Sequence, residues 1–238
     1  MSCAKRSPTT ELKSAPNPDL GERFLAFLGD ADYPCVGAKF ALAHGTIETH
    51  AFASLGESAN DQSIFDGISR FVAMIESREC DETLVHSYVA IFGGPVDLTE
   101  LQFESSMWSQ LWGLHKLDVQ AGNVPANDVS NDADSPQFSL SMAGHPFFMI
   151  GLHPHASRLA RRFSHPVLVF NSHRQFERLR NDGRFEKMQT ATRSRDIALQ
   201  GSMNPNLADF GKASEARQYS GREVEDDWRC PFDFRDEQ

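Results

Sequence analysis

Three short apolar runs, residues 138–142, 147–152 and 167–170, leave this chain few ways to fold. Gly, Pro and polar residues break the chain between them, which is the pattern of strands in a sheet. Only Ala143, Gly144, His145 and Pro146 separate the first two runs. A parallel pair needs a crossover of about a dozen residues or more, so antiparallel pairing is expected. Elsewhere apolar residues recur at helical spacing. Residues 20–28 form one such segment, with Asp19 placed to cap it, and Ile64, Phe65, Ile68, Phe71, Val72 and Ile75 mark a second. Residues 98–117 form a third, with Leu101, Trp108, Leu111, Trp112 and Leu114 on one stripe, Glu100 and Glu104 early and Lys116 late, as the helix dipole favours. Residues 84–92 read as a strand or short buried helix closed by Gly93-Gly94-Pro95, and residues 33–39 as a turn into a mixed segment. Residues 174–197 form a long charged helix with a break near Gly183. The expected architecture is α+β, a single domain over residues 20–238 with a mainly antiparallel sheet flanked by helices. Residues 1–19, rich in Ser, Thr, Pro and Lys, read as a flexible arm, and the polar residues 121–136 as a long loop serving as lid or surface linker.

At 238 residues the chain can bury one substantial core, and its formal charge of −10 argues against a nucleic-acid-binding surface, which needs clustered Lys and Arg. A cationic small substrate is compatible with that balance. No window approaches the roughly 20 apolar residues of a membrane span, and the first residues lack the apolar run of a signal peptide, so a cytoplasmic protein without membrane partners is expected. Cys3, Cys35, Cys80 and Cys230 are scattered without a CxxC pair, and reduced thiols are the default. A homodimer is left open.

The densest chemical cluster runs from Gly144 to Phe163. It sets His145 and His153 at opposite ends of one apolar strand and follows the second with Arg158, Arg161 and Arg162. A neutral imidazole beside an apolar wall is a sound ligand for haem iron or another transition metal, although either histidine can equally be a satisfied polar residue at a turn. Guanidinium groups pair bidentately with carboxylates such as haem propionates, or else form salt bridges on an acidic protein's own surface. His173 follows the strand of residues 167–170, a position from which side chains reach sites. Cys35 after Pro34 and Cys230 before Pro231 are further candidate ligands, each also readable as a small buried hydrophobe. No GxGxxG, GxxxxGK[ST], GxSxG or HExxH motif competes.

Tyr33-Pro34-Cys35-Val36-Gly37-Ala38-Lys39, His145-Pro146-Phe147-Phe148, Gly151-Leu152-His153-Pro154, Ala160-Arg161-Arg162-Phe163, Leu168-Val169-Phe170-Asn171 and Trp228-Arg229-Cys230-Pro231-Phe232, in that order, resemble the signatures of the YqcI/YcgG family. The resemblance extends from about Leu20 through nearly the whole chain. It implies a haem-dependent monooxygenase that binds haem b, uses O2 and an electron donor, and N-hydroxylates a guanidine or amine nitrogen of a small amino-acid-like substrate. His145, His153 and His173 stand at the family's histidine positions and Arg158, Arg161 and Arg162 at its arginine positions. On that reading His153 is the expected axial ligand, the arginines anchor propionates, and Glu104 or Glu215 holds the substrate cation. The rivals are a haem-binding sensor or carrier without catalysis, and a non-haem metal enzyme built from the same histidines.

Overall fold

A computed structural model describes residues 19–205 and 209–232, so the arm read at residues 1–19 lies, apart from Asp19, outside them. In chain order the helices and strands are α1 (Leu20–Gly29), α2 (Val36–His44), β1 (Ile47–Ser54), α3 (Asp61–Ile75), β2 (Ser87–Gly94), α4 (Glu100–Gln120), β3 (Leu140–Met142), β4 (His145–Leu152), β5 (Val167–Ser172), α5 (His173–Asn181), α6 (Phe185–Gln200) and α7 (Ala216–Tyr219). The five strands form one open sheet in the order β1-β2-β5-β4-β3. Only β1 and β2 run parallel, with α3 between them in sequence; every other pair is antiparallel. The domain is therefore α+β with a mainly antiparallel sheet, as the apolar runs require.

The β3–β4 connection is the tight one that the spacing dictates. Met142 pairs with His145 across a two-residue turn in which Ala143 and Gly144 both have positive φ, 51° and 71°. Such turns follow the right-handed twist of the strands they join. Helix α4 starts where Thr99 and Gln102 form a reciprocal capping box, the Thr99 hydroxyl accepting from the Gln102 N–H and the Gln102 side chain accepting from the Thr99 N–H. Its buried stripe runs through Phe103, Met107, Trp108, Leu111 and Leu114. Leu101, expected on that stripe, is 63% exposed, because the buried face begins only at Phe103. Asp19 occupies the N-cap of α1, yet its side chain accepts no capping hydrogen bond. Gly183, at φ 69°, divides α5 from α6 where the break was expected.

Side chains alternate across the sheet and so build two apolar layers. Tyr88, Ala90 and Phe92 of β2, Phe147 and Met149 of β4 and Leu168 and Phe170 of β5 join α3, α4 and Tyr219 in the larger core. Val89 and Ile91, Leu152, and Val167 and Val169 face α1 in the smaller one. Gly151 is required where the larger core closes, since a Cβ there would lie 2.8 Å from the Phe103 ring and 2.9 Å from the Tyr219 carbonyl oxygen. The loop at residues 121–136 is pinned rather than free: Ser214 donates to the Ala133 carbonyl at 2.6 Å and Arg174 ion-pairs with Asp128 at 2.8 Å. Among the described residues no helix is long and apolar enough to cross a membrane.

Candidate functional site

The smaller layer is incompletely filled. Helix α6 buries none of its residues and packs chiefly on α2, α5 and the 3-10 turn Leu159–Arg161, so it stands off the sheet. A cavity of about 230 Å³ results, walled by Phe24, Val89, Phe148, Ile150, Leu152 and Val169. A second cavity of about 210 Å³ adjoins it and shares Cys35, Phe148, Ile150, Phe176 and Gln218 as walls. Together they fall in the range of small-molecule sites, roughly 300–1,000 Å³.

Cys35 stands where the two cavities meet. It is the N-cap of α2, which stands where the sequence suggests a turn into a mixed segment: Val36 and Gly37 are poor helix formers, and a thiol serves where Ser, Thr, Asp or Asn usually signals a start. The Cys35 Sγ accepts from the Ala38 N–H at 3.4 Å. Burial pushes this thiol up from its ordinary pKa, while the Ala38 and Gly37 amides and the nearby Arg161 guanidinium act in the opposite sense. Three hydrogen bonds fix its surroundings: the Val36 N–H donates to Thr192 Oγ1 at 3.1 Å, and Arg195 donates to the Ala31 carbonyl at 2.7 Å and the Tyr33 carbonyl at 3.2 Å.

The three arginines part company. Arg158 lines the larger cavity, buried, in an ion pair with Asp196 of α6 and donating to the Ser202 hydroxyl at 3.2 Å and carbonyl at 3.0 Å. Arg161 lines it too, but donates only to backbone carbonyls, those of Gly151 at 2.9 Å and of Tyr219 and Gln218 at 3.3 Å. Among the described residues no carboxylate forms an ion pair with Arg161, and burial lowers its pKa. Arg162 is exposed, donates to the Ala156 carbonyl at 3.0 Å and lines neither cavity.

The histidines are not brought together. His145, at the start of β4, has both ring nitrogens engaged, with Glu76 at 2.8 Å and the Ser172 hydroxyl at 2.8 Å. His153, just past the other end, stacks on Phe103 with ring centroids 4.4 Å apart and 18° between planes, against the core on the sheet's other side. It lines neither cavity, and its buried Nδ1 has no hydrogen-bond partner. Burial is the main reason that its pKa is lowered to about 4. His173 does face the smaller cavity, its Nδ1 3.6 Å from Glu215 Oε1 and its Nε2 3.4 Å from Glu177.

The two candidate carboxylates differ as sharply. Glu104 accepts from Ser220 Oγ at 2.8 Å, Arg222 Nε at 3.0 Å and Trp228 Nε1 at 2.9 Å, so the guanidinium it holds is the protein's own. It lines neither cavity. Glu215 lines the smaller one, is 5% exposed and keeps Oε2 without a hydrogen-bond partner. Tyr33, Asn171, Thr192, Asp196 and Gln218 also line the cavities and were not singled out as site residues. Tyr33 and Asn171 lie inside the family motifs, where a residue's facing is not legible without the register, and no motif given above contains Thr192, Asp196 or Gln218. Among the described residues no group of three or more His, Cys, Asp or Glu side chains is arranged to hold a metal ion.

Fold and site define a single-domain α+β protein with an apolar cavity pair carrying one thiol, four arginines and one buried carboxylate. The chain belongs to the YqcI/YcgG family, whose model matches residues 24–233. No curated protein and no solved structure matches it.

Proposed function

We propose that this protein is a haem-dependent oxygenase that N-hydroxylates a guanidine or amine nitrogen of a small amino-acid-like substrate. One observation carries the reading: Arg161, a cation held only by carbonyls, and the Cys35 thiol both face one apolar cavity. A half-buried guanidinium that no carboxylate pairs directly, with Asp196 acting on it only at a distance, can take an anion, and an apolar slot beside a soft sulfur donor suits a macrocycle bearing carboxylates. Haem b would be held here by the Cys35 sulfur and by Arg161 pairing with a propionate, Arg158 being already paired with Asp196. His153, the donor favoured by sequence, is replaced in that role by Cys35, because its ring stacks on Phe103 away from the cavity.

Bound haem supplies a redox iron able to activate O2, using electrons from an external donor. The chain's own residues do the rest. Phe24, Val89, Phe148 and Leu152 exclude water from the cavity, and Arg161 offsets a part of the burial that raises the pKa of the Cys35 thiol. The adjoining cavity leaves room for a substrate beside the same sulfur wall.

Haem-loaded protein is incubated with O2, an electron donor and a panel of arginine, cyclic guanidines and simple amines, and products are read by mass. A product heavier by one oxygen is expected from at least one member, and its yield should fall at least about tenfold in Arg161→Met, which removes a charge-assisted contact. Full haem loading with no oxygenated product from the whole panel would favour a carrier or sensor instead.

A further inference from the structure

Helix α6 roofs both cavities. Thr192, Arg193 and Asp196 line the larger one, and Met188, Gln189, Thr192 and Arg193 line the smaller. Helices in a folded domain are held mainly by an apolar face, yet α6 buries none of its 16 residues. Its grip on the rest of the chain is polar. Thr192 Oγ1 accepts from the Val36 N–H at 3.1 Å, Gln200 Oε1 accepts from the Leu159 N–H at 2.8 Å, and Arg195 donates to the Ala31 carbonyl at 2.7 Å. Water can replace each of these partners, so parting them costs far less than uncovering an apolar face.

Both ends of the helix are suited to turning. Gly183, at φ 69°, precedes α6, and Gly201, at φ 80°, follows it as the C-cap. Hinges are residues at element ends that absorb backbone rotation, which glycine does at least steric cost. Arg158 spans the second hinge: it ion-pairs with Asp196 on the helix and donates to the Ser202 hydroxyl and carbonyl beyond Gly201. The side chains of this pair are 8% and 17% exposed, whereas those of Arg193 and Asp209, the other ion pair made by α6, are 30% and 52% exposed. Exposed pairs contribute little, so Arg158–Asp196 is the contact that decides whether α6 stays down.

We propose that α6 is a lid: it swings as an intact helix about Gly183 and Gly201, with the Arg158–Asp196 pair as its latch, and its opening uncovers Cys35 and both cavities. It covers the Cys35 segment directly, since Val36 bonds to Thr192 and a Cβ at Gly37 would lie 3.3 Å from Met188 Cε. The device is indifferent to what the cavities hold, so it stands apart from the oxygenase reading.

The Val36 and Leu159 amides report the opening, because each is bonded to a side chain of α6 and the two are far apart in sequence. The test is hydrogen exchange of the full chain as purified, read amide by amide by NMR, with and without urea below the unfolding transition. Once intrinsic rates are divided out, the two amides are expected to show the same protection within about fivefold, and at least about a hundredfold less than the β2–β5 ladder. Their protection should change less than about twofold over a urea range that lowers the ladder's at least about tenfold, because lifting α6 exposes little surface. Asp196→Ala and Arg158→Met are each expected to lower both protections at least about tenfold, the scale of one charge-assisted bond. Protections that differ more widely, amides that follow the ladder into urea, or latch variants that leave both amides unchanged would each overturn the proposal. The wild-type comparisons decide the matter even if neither variant folds.

Discussion

Glu104→Ala is expected to destabilise the fold by about 3 kcal/mol, near the lower end of the range for breaking a buried ion pair. Glu104 and Arg222 are 11% and 9% exposed, and the carboxylate also takes the Ser220 hydroxyl and the Trp228 indole N–H. The substitution removes the shared acceptor of all three donors at once. The loss stays near the lower end because Arg222 keeps Glu225 at 2.9 Å as a second, solvent-exposed partner. What fails is the clamp between α4 and the chain that follows α7. Urea unfolding with an unchanged m-value checks this. If Glu104 instead held substrate, as the sequence allowed, Glu104→Ala would leave the midpoint nearly untouched and remove cation binding.

A second large effect is expected from acid. His153 has a folded-state pKa of about 4 against roughly 6.5 in an unfolded chain, so below pH 6.5 the unfolded state takes up a proton that the folded state refuses. Its contribution is fully present above that pH and is lost as pH falls towards 4. Between pH 7 and 4.5 the wild type should lose roughly 2–3 kcal/mol on this account. His153→Phe, which keeps a ring on Phe103 without a titrating group, should show a correspondingly shallower decline. Equal slopes for the two proteins in denaturant titrations at several pH values would refute the assignment.

The sheet was legible in the sequence because its central strands are short, apolar and separated by turn residues that permit one pairing. Strand β1 was not, since an edge strand buries little: its residues are at most half-buried, and IETHAFAS offers no clean alternation. Helix α2 escaped because its cap is a thiol. For the site, sequence picked out Arg158, Arg161, His173 and Glu215, all of which line the cavities, but could not rank them above His145, His153, Arg162 and Glu104. What separates the two sets is the sheet face or loop side on which each residue falls. His153 follows Leu152, which points into the larger cavity, and one residue's step carries the imidazole to the opposite side. Cys35 was weighed as one of two Pro-flanked thiols; its place at the junction of two cavities depends on α6 standing off the sheet, which no local pattern encodes.

The central claim is that haem sits in the cavity walled by Cys35 and Arg161. The most direct measurement is the absorption spectrum of the haem-loaded full chain, ferric and then ferrous with CO, compared among wild type, Cys35→Ala, His173→Ala and His153→Ala. The account predicts one haem per chain and the long-wavelength CO band of thiolate-ligated iron. That band should be lost in Cys35→Ala and unchanged in both histidine variants. No Soret band in the wild type, or a spectrum indifferent to Cys35→Ala and abolished by His153→Ala, would contradict it.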